Sequence, residues 1–276
     1  MKFQRIIEAV YFQPWSITRD GWMAVHQILK PYLAGKEPPQ VKADGDDDTD
    51  FFGNPIPKME VTADGVAIIP IIGTLIHHAS LLDKACGACS YDDIKEDLHS
   101  ALGHANLKKI ILHVSSPGGM CIGCTETADL ISEIRDMGCP IETVTDEMIG
   151  SAAYYLVSGC SKISITPSAM IGSVGTFAAI LDEKLAFEMH GLKMDIIKSG
   201  EYKGAGIPGT TLTPEQRADL QSAVDHYAAL FRNHVGQCRP VIDEKLKQGQ
   251  AFIGADAVEK GFADALIDDV RDGFRL

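Results

Sequence analysis

The sequence predicts an α/β protein of repeated strand–helix units around a parallel sheet. Short, nearly continuous apolar runs alternate with segments of helical periodicity, and glycine-bearing turns follow directly on two of those runs. The 276 residues are 45% hydrophobic, enough to bury a sizeable core. Runs apolar on both faces suit strands covered from both sides, and strands alternating with helices at this spacing are joined as parallel crossovers. In such sheets functional residues collect at the carboxyl ends of the strands.

Residues 1–36 read as an N-terminal helical extension, with two short helices separated by Pro14 and the second running from about Arg19 to Leu33. Residues 37–58 shift to Pro, Gly and Asp and read as an acidic linker. Its run Asp44-Gly45-Asp46-Asp47-Asp48 has the look of a calcium loop but lacks the closing Glu, so a solvated linker is expected.

The main domain spans 59–276. Val66 to Gly73 is its first buried strand. Tyr91 to Leu102 is a helix with Ser90 as N-cap and Asp92 and Asp93 in the first turn. Lys109–Val114 is a strand leading into Ser115-Ser116-Pro117-Gly118-Gly119, and Thr125–Met137 is a helix. Ile141–Thr145 (strand), Ser151–Ser158 (helix) and Lys162–Thr166 (strand) continue the alternation. Leu181–Leu185 is helical and Met194–Ile197 reads as a strand before the loop 198–212. Thr213, Pro214 and Gln216 form a capping box that opens a long helix to about Val235. No internal repeat is visible.

A formal net charge of −13 argues against a nucleic-acid backbone or an anionic membrane as the main partner. Charges at Lys2, Arg5 and Glu8 interrupt any leader-type apolar run, and no window reaches the length of a membrane span, so a cytoplasmic protein is expected. Seven cysteines make an odd set, for which reduced thiols are the default.

The chemistry centres on Ile149-Gly150-Ser151-Ala152-Ala153-Tyr154-Tyr155-Leu156. A serine between Gly and Ala at the start of an apolar helix lies where backbone approaches closely and negative charge is favoured, which suits a nucleophile. A serine hydroxyl needs a base. No histidine lies between Ser151 and Phe187; His190 ends a helix, and His226 and His234 lie on the long helix. His77, His78 and His113 precede the serine and stay open as candidates, because triads occur in several chain orders, although His113 in an apolar strand suits the core. A desolvated lysine also serves as a base, and Lys203 sits in the glycine-rich stretch Ser199-Gly200-Glu201-Tyr202-Lys203-Gly204 after the Met194–Ile197 run. From that loop alone, a solvated lysine is the plainer reading.

Cys86-Gly87-Ala88-Cys89 and Cys121-Ile122-Gly123-Cys124 are two C-x-x-C pairs from which a four-cysteine zinc site is conceivable, while Cys also fills small apolar spaces; no metal and no cofactor is expected. Ser115 and Ser116 shape a turn before Pro117. No phosphate-loop motif is present, which disfavours an ATPase role.

Taken together, Ser115-Ser116-Pro117-Gly118-Gly119, Gly150-Ser151-Ala152-Ala153-Tyr154-Tyr155, Ile171-Gly172-Ser173-Val174-Gly175 and Lys198-Ser199-Gly200-Glu201-Tyr202-Lys203 resemble the ordered motif set of the SppA-like serine peptidases. That family comprises signal peptide peptidase A and phage head-maturation relatives on the ClpP/crotonase fold, and the resemblance covers about residues 62–270. It implies Ser151 as nucleophile, Lys203 as general base and Ser173 as the hydroxyl that orients the amine. It also implies an oxyanion hole from the backbone of Gly118 and Gly119 with Ala152, and a ring-like homo-oligomer in which serine and lysine come from neighbouring subunits.

Gln13-Pro14-Trp15-Ser16-Ile17, Ser90-Tyr91-Asp92-Asp93-Ile94 and Gly123-Cys124 are more similar to the phage branch, which matures procapsids by cutting scaffold and portal-associated proteins. Lambda-type members continue into a scaffold-like extension, and a chain ending at Leu276 would need a separate scaffold. The expectation is thus an ATP-independent serine endopeptidase for extended protein segments with small or apolar residues before the cut, in the host cytoplasm or procapsid. A signal-peptide-peptidase-like cytosolic protease, a crotonase-type acyl-CoA enzyme using Glu147, and a non-catalytic assembly module are the alternatives.

Overall fold

The computed structural model describes residues 13–33, 56–79, 83–84 and 86–275. The first expected N-terminal helix and most of the 37–58 linker, with its Asp run, lie outside the described residues.

The chain begins with a strand that the sequence reading lacks, β1 (Trp15–Ile17), followed at once by α1 (Arg19–Leu33). A repeated long strand, short strand and helix then appear. The first set holds β2 (Glu60–Val61), β3 (Val66–Ile72), β4 (Thr74–Ile76), β5 (Ala88–Ser90) and α2 (Tyr91–Leu102). Next come β6 (Lys109–Ser115), β7 (Gly118–Met120) and α3 (Cys124–Asp136), then β8 (Ile141–Thr145), β9 (Met148–Gly150) and α4 (Ala152–Ser158). The closing part runs through β10 (Lys162–Ile165), β11 (Met170–Gly172), α5 (Lys184–Met189), α6 (Pro214–Cys238), β12 (Ala251–Ile253), α7 (Gly254–Glu259), β13 (Ala265–Leu266) and α8 (Val270–Gly273).

The long strands form a six-stranded sheet in the order β13-β10-β8-β6-β3-β2, parallel except for β2. Each long strand hands over to a short one that leaves the sheet. These short strands make two further sheets, β1-β7-β4-β5 and β12-β11-β9. The turn residues dictate the handover: Gly73 has φ +93°, and a Cβ there would sit 1.9 Å from Gly87 O.

Ile69, Ile71, Leu112, Val114, Ile131 and Ile163 are fully enclosed between the layers. Each contributes roughly 2 kcal/mol through burial. Ser90 caps α2 as its sequence predicts, its Oγ accepting from Asp92 N at 3.1 Å, and the capping box of Thr213 and Gln216 opens α6. Every residue of α4 is buried. Tyr155 stacks on Phe231 of α6 at 4.7 Å, and Tyr154 donates to Phe262 O. A helix apolar on all sides has to sit at the centre, so the turn leading into α4 is fixed by packing all round it.

One expected element is absent. Met194–Ile197 joins no ladder, and Ile197 is 99% exposed. An apolar run becomes a strand only where another strand supplies its hydrogen bonds, and none is beside it here.

Candidate active site

Ser151 stands between β9 and α4 with φ 51° and ψ −113°. Its N–H donates to Gly172 O at 2.7 Å, so the parallel pairing of β9 with β11 holds the turn in place. Among the described residues, Ser151 and Ser173 (φ 59°) are the only non-glycine residues at positive φ. Such backbone costs on the order of 1–3 kcal/mol per residue and persists where surrounding structure over-determines it, as at functional turns. The two serines follow paired residues, since Gly150 and Gly172 face each other in register. Ser151 Oγ donates to Gly175 O at 3.4 Å, and the residue is only 1% exposed.

The glycine turn meets Ser151 from β7. Gly118 has φ +98°, and a Cβ on it would lie 2.4 Å from Ser16 O, 2.8 Å from Gly150 O and 2.9 Å from Ala152 N. Only glycine lets this backbone come so near the serine turn. The Gly118 N–H donates to Ser116 Oγ at 3.2 Å, so Ser116 shapes the turn around Pro117 as its position in sequence predicts. Gly119 lies between Ser16 of β1 and Leu75 of β4. Ala152 is the first residue of α4, and its N–H is among the donors that a helix start leaves without an intrahelical partner. The backbones of Gly118 and Ala152 therefore converge beside Ser151.

Ser173 lines a cavity of about 610 Å³ together with Gly175, Phe177, Ile17, Trp22 and Lys247. Its N–H donates to Gln250 O at 2.6 Å. Lys247 carries no motif signal in sequence, yet it is 1% exposed and bonds Glu244 at 2.6 Å. Lys203 lies on an exposed turn, its N–H donating to Gly200 O. Within one chain, no hydrogen bond joins Lys203 to Ser151 or Ser173 among the described residues.

The other candidates fall elsewhere. His113 is half-buried and packs edge-on against Phe274 at 5.5 Å, and burial lowers its pKa. Glu147 is exposed and accepts a hydrogen bond from Ser115 Oγ. His77 stacks on His78, and His78 bonds Asp92; these three are close enough to hold a cation.

The thiols of the two C-x-x-C pairs do not gather into one ligand set among the described residues, a correction to the zinc alternative. Cys121 lies near Ser16 Oγ and Thr176, with its pKa pushed up to about 11 by burial. Cys124 donates to Ala152 O at 3.7 Å and burial raises its pKa well above the ordinary thiol value. Burial likewise pushes Cys89 up to about 12, while Cys86 is exposed. Cys121 and Cys124 are buried at the start of α3 and beside α4, where burial keeps their thiols protonated.

A serine in strained backbone at a strand-to-helix turn, under a glycine strand and beside the first amide of the helix, brings one hydroxyl and several backbone amides together on an α/β scaffold. The chain belongs to peptidase family S49, whose model matches residues 133–271, half of the sequence and the part holding Ser151, Ser173 and Lys203. It is 30% identical over 206 residues to the capsid assembly protease C of Escherichia phage lambda, covering 74% of this chain and 47% of that protein. Against the probable protease SohB of Haemophilus influenzae the identity is 25% over 190 residues, 67% of this chain and 53% of the other. The chain thus spans about half the length of these relatives. Among solved structures, a ClpP1 mutant from Listeria monocytogenes aligns with a TM-score of 0.48 and 13% identity, over 75% of this chain and 94% of that one.

Proposed function

We propose that this protein is an ATP-independent serine endopeptidase that cuts extended protein segments through an acyl-enzyme on Ser151. The observation that carries the reading is the positive-φ turn at Ser151, over-determined by β9, β11 and the glycine of β7. Ser151 Oγ attacks the scissile carbonyl and its proton passes to Lys203, which returns it to the departing amine; water then repeats the cycle to release the acyl group. Amides at Gly118, Gly119 and Ala152 face the developing oxyanion, each worth on the order of 3 kcal/mol in the transition state. For the Gly118 amide this requires release from Ser116 Oγ.

Lys203 is taken to reach Ser151 from a neighbouring copy, with Ser173 orienting its amine. The segment around it supports this: Leu185, Met189 and Ile197 are 74%, 86% and 99% exposed, an apolar stretch that a second copy of this chain would cover. The substrate class, scaffold or portal-associated proteins in a procapsid, rests on the likeness to a capsid assembly protease. A host cytosolic protease of the signal-peptide-peptidase type is the second reading, supported by the likeness to SohB. Among the described residues no helix is long and apolar enough to cross a membrane. The acyl-CoA reading fares worse, since Glu147 already holds Ser115 at the surface.

The test is casein cleavage by wild type, Ser151→Ala and Lys203→Ala over about pH 6 to 10, where general-base catalysis gives a rate that rises with pH. Activity in wild type alone supports the dyad. Equal behaviour of all three proteins sinks it.

A further inference from the structure

We propose that β1 is a tethered occupant of the peptide groove: the chain's own Trp15-Ser16-Ile17 lies where an extended substrate pairs, and it keeps Ser151 latent until it is withdrawn. This rests on the peptidase reading above.

Strand edges come first. A strand has two hydrogen-bonding edges, and an extended substrate that pairs with the glycine strand β7 needs one of them. Leu75 of β4 faces Gly119 on one edge. The other edge is taken along its whole length by β1, antiparallel, with Trp15 opposite Met120, Ser16 opposite Gly119 and Ile17 opposite Gly118. On its far side β1 is bonded again: Trp15 N donates to Phe177 O at 2.8 Å and Phe177 N to Trp15 O at 2.9 Å. β1 is thus inserted between the glycine strand and the segment that runs out of Ser173, bonded on both sides as a bound peptide would be.

Its side chains alternate as in a bound peptide. Trp15 and Ile17 are 2% and 4% exposed among Ile76, Met120 and Phe177. Ser16 Oγ instead meets Thr176 Oγ1 at 2.9 Å and Cys121 Sγ at 3.3 Å. Beyond the strand, Thr18 N donates to Pro117 O at 2.8 Å, and the Thr18 methyl would stand 2.7 Å from a Cβ on Gly150, the residue before the nucleophile. At Arg19 the chain becomes helical, and Gly21 lets α1 press onto Pro117. The backbone therefore leaves the groove as a helix, without an extended bond in line for attack. This is the shape of an inhibitor rather than of a substrate, and it agrees with a nucleophile 1% exposed.

The contact between Ser16 and Cys121 supplies the test. Ser16→Cys in the full chain places two thiols together, so diamide will lock β1 to the residue after β7 and dithiothreitol will release it. The readout is the rate at which a fluorophosphonate labels Ser151, with the disulfide checked by peptide mass. A latch held shut nine parts in ten slows labelling about tenfold. The lock removes the remaining open fraction, so the expected result is labelling more than tenfold slower in the oxidised variant and restored by reductant, with wild type indifferent to both reagents and Trp15→Ala labelled up to about tenfold faster than wild type. Equal rates in the locked and reduced forms, with labelling still lost in Ser151→Ala, overturn the latch and leave the peptidase reading standing. The buried Cys121 thiol is reached by oxidising during refolding as well as in the folded protein, and absence of the disulfide under both conditions also overturns the latch, since β1 is then not held against β7. No labelling in any form removes the nucleophile assignment and the latch with it.

Discussion

Ser151 and Ser173 share an unusual backbone because each follows a glycine in a paired strand and precedes a change of direction. Gly118 is the third member of this arrangement, and its missing side chain is a structural requirement. In Gly118→Ala the new methyl would press on Ser16 O, Gly150 O and Ala152 N, in a conformation that alone costs about 1–2 kcal/mol for an L side chain. We expect kcat/KM on a peptide substrate to fall by about a hundredfold, as for loss of an oxyanion donor. Gly138→Ala is the control: it too has positive φ, but its Cβ would meet nothing within 4 Å. It should cost only about 1 kcal/mol in urea denaturation and leave kcat/KM unchanged. Equal losses in the two variants would show that strain, not the approach to Ser151, is what matters.

Among the elements, α6 was the most legible, since Thr213, Pro214 and Gln216 each meet a distinct need of a helix start. What ties its far end to the sheet was not legible. Arg239, 8% exposed, makes a forked pair with Asp264 at 2.7 and 2.8 Å and also donates to Ser158 O and Cys160 O. Asp264 in turn accepts from Ile163 N at 2.7 Å. Asp264→Ala strands a buried guanidinium and should lower stability by about 3 kcal/mol, read as a lower urea midpoint at unchanged m-value. Arg239→Met with Asp264→Ala should recover part of that loss, because no charge is then left buried. β1 escaped the sequence reading for a related reason: three residues after a proline carry too short a pattern, and their partner stands a hundred positions away in β7.

Over the whole molecule, the exposed apolar stretch from Leu181 to Ile207 and the separation of Lys203 from Ser151 belong together if the site is completed by a second copy. Mixing inactive Ser151→Ala with inactive Lys203→Ala, after dissociation and reassembly, then restores activity. Random pairing in a closed ring makes about a quarter of the sites intact. Activity of about one quarter of wild type is expected in the mixture, with none in either variant alone. A mixture as inactive as its parts would place both residues of the dyad in one chain.

The sequence by itself determined the repeated strand–helix units, the capping of α2 and α6, and the order of the serine and glycine motifs, because these depend on local propensity and on apolar runs that must be covered. It misjudged Met194–Ile197, since an apolar run does not reveal whether a neighbouring strand, solvent or another copy will face it. Only the tertiary structure decided that Gly118 and Ala152 converge on Ser151, that the thiols of the two C-x-x-C pairs do not gather into one ligand set among the described residues, and that β1 fills the free edge of β7. Those outcomes depend on pairing between residues far apart in the chain, and pairing of that kind is set by the available edges and volumes of the folded molecule.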